Sequence, residues 1–246
     1  MSMYKPLADQ IRPDSLDEVV STLRLELDGQ QHRVCIYFPC LFALRVRALR
    51  VDDGATVTPV QKSLNMLIYG DSITQGYDAQ YPSQAYANLI ADALDANAVN
   101  QAIGGEVFRP QILTDDIVYV PDLITVAYGT NDWSTREREA TVNDATAFFA
   151  NLRATYPKAK IFALTPIWRA DNSRVTKVGA FEEAIALVGD IARSEANAIL
   201  LDGRPFVPHV PEFFSDRYLH PNDMGFKCYA TALFEAMKPY LARKEG

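Results

Sequence analysis

The chain has 246 residues, 48% of them apolar and 22% charged, which suffices for one large domain, or a domain with a small extension, around a sizeable core. A net charge of −7 argues against nucleic acid or an anionic membrane as partner, because both select basic surfaces. No apolar run reaches membrane-spanning length.

Met1 to Leu16 carries charges and Pro13 but no apolar leader core, so the localisation read here is cytoplasmic. A secreted chain whose leader has been removed would read the same. Three scattered cysteines (Cys35, Cys40 and Cys228) form no CxxC pair, which points away from a disulfide framework and a thiolate zinc site and towards buried or neutral thiols.

Residues 1–60 differ in texture from the rest. Leu23, Leu25 and Leu27 alternate with Arg24, Glu26 and Asp28, and Val34, Ile36 and Phe38 alternate again. Asp28-Gly29 and Asp52-Asp53-Gly54 read as turns. The stretch Leu41 to Val51 is β-rich, with Arg45 and Arg47 on a solvated strand face. The expectation is a small antiparallel β unit over 1–60, followed by a main domain over 61–246.

From residue 65 strand and helix patterns alternate. Asn65 to Tyr69 is an apolar run followed by Gly70-Asp71-Ser72. Ala85, Tyr86, Leu89, Ile90, Ala93 and Leu94 follow helical spacing. Ala98 to Gln101 is a second strand, and Leu123 to Ala127 is continuously apolar, as in a strand buried on both faces. Val142 to Leu152 is helical, Lys160 to Thr165 a fourth strand, Phe181 to Ala192 a long helix and Ile199 to Leu201 a fifth strand. Pro221 suits the first position of a last helix carrying Phe226, Ala230, Leu233, Phe234 and Met237 on one stripe. Such alternation means α/β architecture, with a five-stranded parallel sheet covered on both faces.

Four polar or glycine-rich clusters fall at the predicted strand ends or just before the last helix. They are Gly70-Asp71-Ser72, Asn100 to Gly105, Gly129-Thr130-Asn131-Asp132 and Asp216 to Pro221. Several polar loops at one sheet edge describe a pocket, and these supply the parts of acyl transfer. Ser72 is the candidate nucleophile, needing a base to take its proton. His220 is the candidate base and then acid, kept neutral by the helix N-terminus that follows it. Asp216 is the nearest acid in sequence. The Asn131 amide and the backbone N–H groups of Gly105 and Ser72 are candidate oxyanion donors. Trp133 and Trp168 are candidate sugar-stacking residues or packing residues. Asp71 and Asp132 read as loop braces, and His32 and His209 as surface and loop residues.

Gly70-Asp71-Ser72-Ile73-Thr74, Gly105, Gly129-Thr130-Asn131-Asp132 and His220-Pro221 resemble the successive motifs of the SGNH (GDSL-type) hydrolases. The likeness runs from about residue 65 to the C-terminus. It implies a flavodoxin-like three-layer α/β/α domain and metal-free ester hydrolysis, with no cofactor. By the same resemblance Ser72 would be nucleophile, Gly105 and Asn131 oxyanion donors and His220 base. A β unit ahead of the domain is similar to carbohydrate esterases of the superfamily, although theirs is usually larger than about 60 residues. The family commonly places an Asp three residues before the His; here Arg217 occupies that position and Asp216 lies one further back. Either a one-residue bulge brings Asp216 to the ring or a backbone carbonyl orients His220.

Rival α/β signatures are missing. Gly76 is followed by Tyr77 rather than a P-loop lysine, and neither GxGxxG, GxSxG nor HExxH occurs. The leading reading is a serine esterase acting on O-acyl groups, O-acetyl first, on carbohydrate, through an acyl-enzyme, its partner being a small-molecule or glycan ester substrate. The alternatives are a lysophospholipase or thioesterase of the same superfamily, or a catalytically silent glycan-binding module. Oligomeric state is not legible.

Overall fold

A computed structural model describes residues 22–42, 44–113 and 118–241. The chain divides into two compact units, Met1–Tyr37 and Phe38–Gly246. The second unit is built on five parallel strands: β1 (Leu64–Gly70), β2 (Ala96–Asn100), β3 (Leu123–Ala127), β4 (Lys160–Leu164) and β5 (Ile199–Leu201). Their order is β2-β1-β3-β4-β5, one of the two common doubly wound orders. β2 begins earlier than its apolar residues suggest, because Leu64 pairs with Ala96 and the ladder runs from there to Ile68 and Asn100.

The helices are α1 (Ser72–Gln75), α2 (Tyr86–Ala93), α3 (Thr130–Thr135), α4 (Arg138–Thr155), α5 (Phe181–Ala196) and α6 (Asp223–Met237). Alternate residues of β1 sort the layers. Met66 and Ile68 pack with Tyr86 and Ile90 of α2 and with Phe226, Leu233 and Met237 of α6. Leu67 and Tyr69 pack on the other face with Phe148, Phe149 and Leu152 of α4 and with Val188 and Ala192 of α5. Burying a large apolar side chain contributes about 1.5–3 kcal/mol, so these two apolar layers fix which face each helix covers. Gly70 is required at the end of β1: a Cβ there would lie 2.1 Å from Thr74 Oγ1, whose side chain folds back over the turn.

The antiparallel β unit expected over residues 1–60 is not formed among the described residues. No strand occurs in 22–42 or 44–60, and residues 1–21 and 43 lie outside the described residues. The turns are present: Gly29 and Gly54 have φ of 79° and 84°, and Ala55 N–H donates to Asp52 O at 3.0 Å. Among the described residues no second layer covers the alternating apolar side chains. Leu23, Leu25 and Leu27 are about half exposed, as are Val34, Ile36 and Phe38. Alternation specifies a strand only where another strand or helix covers its apolar face. Within the first unit, His32 Nε2 lies 2.6 Å from Asp28 Oδ1. All three cysteines are free, and Cys35 is exposed rather than buried. Among the described residues no helix is long and apolar enough to cross a membrane.

Candidate active site

In the 2-1-3-4-5 order the chain leaves β1 for β2 on one side and returns to β3 on the other, which opens a crevice at the carboxyl ends of β1 and β3. The candidate residues gather there. Asp71 is the N-cap of α1: its side chain accepts from Ile73 N–H at 3.0 Å. The cap turns the chain sharply and presents Ser72, the first helical residue, at the rim. Asp71 is fully buried; burial pushes its carboxyl up to about 7, helped by the neighbouring Asp132 charge and opposed by the Ile73 N–H and Arg169. Asp132, accepting from Phe108 N–H at 3.3 Å, is likewise raised by burial to about 6. Both carboxylates brace loops.

Ser72 Oγ lies 2.9 Å from His220 Nε2, although 148 residues separate them in sequence. The other ring nitrogen, Nδ1, lies 2.8 Å from Asp216 Oδ2. A local loop makes this reach fit. Phe214 and Pro221 form an antiparallel bridge, Ser215 N–H donates to His220 O at 2.8 Å, and Arg217 adopts a φ of 58°. The left-handed residue takes up the extra position, so an acid four residues ahead reaches the ring. Asp216 Oδ1 meanwhile accepts from the N–H groups of Tyr218, Leu219 and His220 at 2.9, 2.8 and 3.1 Å. Partial burial raises the Asp216 pKa. The hydrogen bonds from Leu219, the His220 ring, Tyr218 and His220 N–H outweigh that and hold it below the usual carboxylate range. A carboxylate at Nδ1 takes its N–H, which leaves Nε2 as an acceptor facing the serine.

Pro221, expected to open the last helix, lies before its cap. Asn222 is the N-cap, accepting from Met224 and Gly225 N–H at 3.1 Å each, and α6 starts at Asp223. His220 therefore stands two residues outside the cap.

The donor side is built from the loops after β2 and β3. Gly129, at φ 118°, turns the chain out of β3 into α3, and Asn131 Nδ2 donates to Glu106 O at 2.9 Å. An amide nitrogen carries two N–H bonds, so a second donor sits on the same atom beside the Gly105 loop. Gly105 has a φ of 78°, and a Cβ built on Gly104 would lie 3.7 Å from Ser72 Cβ. Gln75 fixes this loop: its Oε1 accepts from Gly104 N–H at 2.7 Å while its Nε2 donates to Cys40 O at 2.9 Å. Gln75 follows Ser72 by three residues, one helical turn, and that spacing was the available signal for it.

The two tryptophans differ. Trp133 has no exposed surface, donates from Nε1 to Gly179 O at 3.0 Å and packs on Phe181. It therefore offers no ring face to a ligand, because α3 turns it inward. Trp168 is half-buried between His209 (5.7 Å between rings, 17°) and Phe214 (5.2 Å, 53°). With Asn172, Phe181, Glu182, Arg204 and His209 it lines a cleft of about 120 Å³. The aromatic beside the histidine is Tyr77, 42% exposed, its ring 4.8 Å from that of His220. Nothing in its sequence context marked it. One atom each of Asp78, Asp216 and His220 lies within 4.8 Å of the others. The ring nitrogens of that trio are already taken by Asp216 and Ser72.

A serine after the first strand of a 2-1-3-4-5 sheet, facing a histidine just ahead of the last helix, places the protein among the SGNH (GDSL-type) hydrolases. The sequence narrows this. The GDSL-like Lipase/Acylhydrolase family matches residues 68–228, well over half of the chain, and the chain belongs to that family. No curated protein matches it in sequence. Among solved structures it is similar to SsfX3, a salicylyl-acyltransferase from a tetracycline biosynthetic pathway, with TM-score 0.62, 21% identity and coverage of 74% of this chain and 56% of that one. It is also similar to a family 2 carbohydrate esterase with a carbohydrate-binding domain from Corynascus thermopiles (Myceliophthora fergusii), with TM-score 0.60, 21% identity and coverage of 77% and 70%. A family two carbohydrate esterase from Clostridium thermocellum, solved with cellohexaose, gives TM-score 0.58, 20% identity and coverage of 76% and 67%. The chain thus spans little more than half the length of the first of these, and at such identities the likeness shows the fold.

Proposed function

We propose that the protein is a serine esterase that hydrolyses O-acyl esters, O-acetyl first among them, carried on carbohydrate. The observation that carries the reading is the line from Ser72 Oγ through the His220 ring to Asp216, with contacts of 2.9 and 2.8 Å. Residues 61–246 would carry the reaction. His220 Nε2 takes the Ser72 proton as Oγ attacks the acyl carbon. The oxyanion is met by the N–H groups of Ser72 and Gly105 and the Asn131 amide, each such donor contributing about 3–4 kcal/mol to the transition state. Collapse expels the alcohol, which takes the proton from the imidazolium, and water then attacks the acyl-enzyme by the same route in reverse. No step calls on a cofactor. The carbohydrate part of the reading is supported by the two carbohydrate esterases among the structural neighbours. The cleft beside Trp168 is where the sugar would be sought.

Hydrolysis of 4-nitrophenyl acetate and of longer 4-nitrophenyl esters by wild type and Ser72→Ala tests this. Turnover confined to short acyl groups and abolished by the substitution is the expected result. Preference for long chains would point to a lysophospholipase or thioesterase, and absence of Ser72-dependent turnover to a silent glycan-binding module.

A further inference from the structure

Arg169, in the loop that leaves β4, is buried to 4% exposure, an unusual place for a guanidinium. A guanidinium has five N–H donors in a rigid planar fork, and every one is directed. Nη1 donates to Thr130 O at 3.1 Å and to Thr130 Oγ1 at 2.9 Å. Nε and Nη2 donate to the two oxygens of Asp171 at 2.6 and 3.3 Å. Nη2 also donates to the Tyr218 hydroxyl at 3.2 Å. Its faces lie against the rings of Trp133 (4.8 Å) and Tyr218 (5.6 Å), and the next residue, Ala170, donates its N–H to Tyr218 O at 3.0 Å.

The two far ends of this fork matter most. Thr130 immediately precedes Asn131, the oxyanion-donor candidate. Tyr218 lies between Asp216 and His220, and its N–H is one of the three held by Asp216 Oδ1. A single buried side chain is therefore bonded to the first residue of α3, the helix that presents the amide, and to the loop that presents the imidazole. The two segments follow different strands, and their relative position decides whether donor and base meet the same acyl carbon.

We propose that Arg169 is a positioning residue that sets the spacing between the Asn131 amide and the Asp216–His220 pair. The proposal rests on the serine-hydrolase reading above. It touches no substrate itself. Reacting groups displaced by about 1 Å lose about a hundredfold in rate, so a looser tether shows in kcat rather than in KM.

The test is a double-mutant cycle with Asn131→Ala on 4-nitrophenyl acetate, using Arg169→Lys, which keeps the charge and loses the fork. Arg169→Lys is expected to lower kcat by about 30- to 100-fold with KM within about threefold. In the Asn131→Ala background, where the donor to be positioned is gone, the same change is expected to cost less than about fivefold. An equal factor in both backgrounds, as a purely structural role would give, overturns the proposal, as does an Arg169→Lys enzyme within about threefold of wild type. If Arg169→Lys fails to fold, Tyr218→Phe, which removes one hydroxyl, takes its place in the cycle with an expected loss of about three- to tenfold. Should wild type turn over no ester, the cycle is read on the rate at which a fluorophosphonate labels Ser72. Labelling without turnover refutes the esterase reading and leaves the Arg169 proposal to the cycle; neither labelling nor turnover overturns both.

Discussion

Replacing Asp216 by asparagine separates what this carboxylate does for the loop from what it does for the histidine. Asp216 Oδ1 accepts three backbone N–H groups, from Tyr218, Leu219 and His220, and an asparagine carbonyl preserves all three. The other oxygen, 2.8 Å from His220 Nδ1, becomes an amide that donates. Nδ1 must then accept, the ring proton moves to Nε2, and Nε2 faces Ser72 Oγ at 2.9 Å as a donor instead of an acceptor. A serine hydrolase with its imidazole in this tautomer loses about 10⁴-fold in kcat, or about 5 kcal/mol of transition-state stabilisation. Asp216→Ala removes the three loop bonds as well, each contributing about 1 kcal/mol in a protein interior. Because the Asp216 side chain is 32% exposed and water replaces part of what is lost, the discounted expectation is about 1–2 kcal/mol in all. The assay is kcat/KM on 4-nitrophenyl acetate beside urea unfolding of both variants. The expected pattern is two nearly inactive enzymes, of which only the alanine variant is less stable. An asparagine variant retaining more than about a tenth of wild-type activity would refute the tautomer argument.

Asn131→Ala is expected to lower kcat by about 10²–10³-fold with little change in KM, read by steady-state kinetics; a KM effect alone would show a binding role instead. Asp71→Asn keeps the acceptor that caps α1 and removes a carboxyl held at about 7, against 3.8 when unperturbed. The native state keeps a proton that the unfolded chain has released, so Asp71 lowers stability as pH rises from about 4 to about 7, with no further change above. The melting temperature of Asp71→Asn relative to wild type should therefore climb between pH 5 and pH 8; a constant difference would show that Asp71 is ionised in the native state throughout. Asp216, whose carboxyl is held low, acts in the opposite sense and only below 3.8, outside that window. Trp133→Phe should lose about 1–2 kcal/mol of stability through an unfilled gap and one lost hydrogen bond to the Gly179 carbonyl, which Thr176 N–H still pairs at 3.0 Å. KM for sugar acetates should stay unchanged, and a raised KM would return Trp133 to the ligand.

The sheet and its four longer helices were readable because each β strand is bracketed by glycine, proline or a polar loop and α2, α4, α5 and α6 each carry one apolar stripe, whereas the short α1 and α3 carry none. The β unit over 1–60 is not seen among the described residues despite a genuine alternation: Leu23, Leu25 and Leu27 have the period of a strand but stay about half exposed. Period reports which residues share a face, and only tertiary structure supplies the layer that covers it. At the rim, Ser72, Asn131 and His220 announce themselves by local motif. The choice between Asp216 and a backbone carbonyl turned on the φ of Arg217, which an arginine, unlike glycine or asparagine, does not signal in advance. Trp133 was open to two readings because its position in the chain says nothing of which side of α3 faces inward. Arg169 and Tyr77 had no sequence signal at all, since the first meets Thr130 and Tyr218 from distances of 39 and 49 residues.

Whether Ser72 becomes acylated decides the account. Wild type quenched with acid during turnover of 4-nitrophenyl acetate and mapped by peptide mass spectrometry should carry one acetyl group on the peptide containing Ser72, and His220→Ala treated alike should carry none. Turnover with an unmodified Ser72, or with the acetyl group on another residue in its place, would contradict the account.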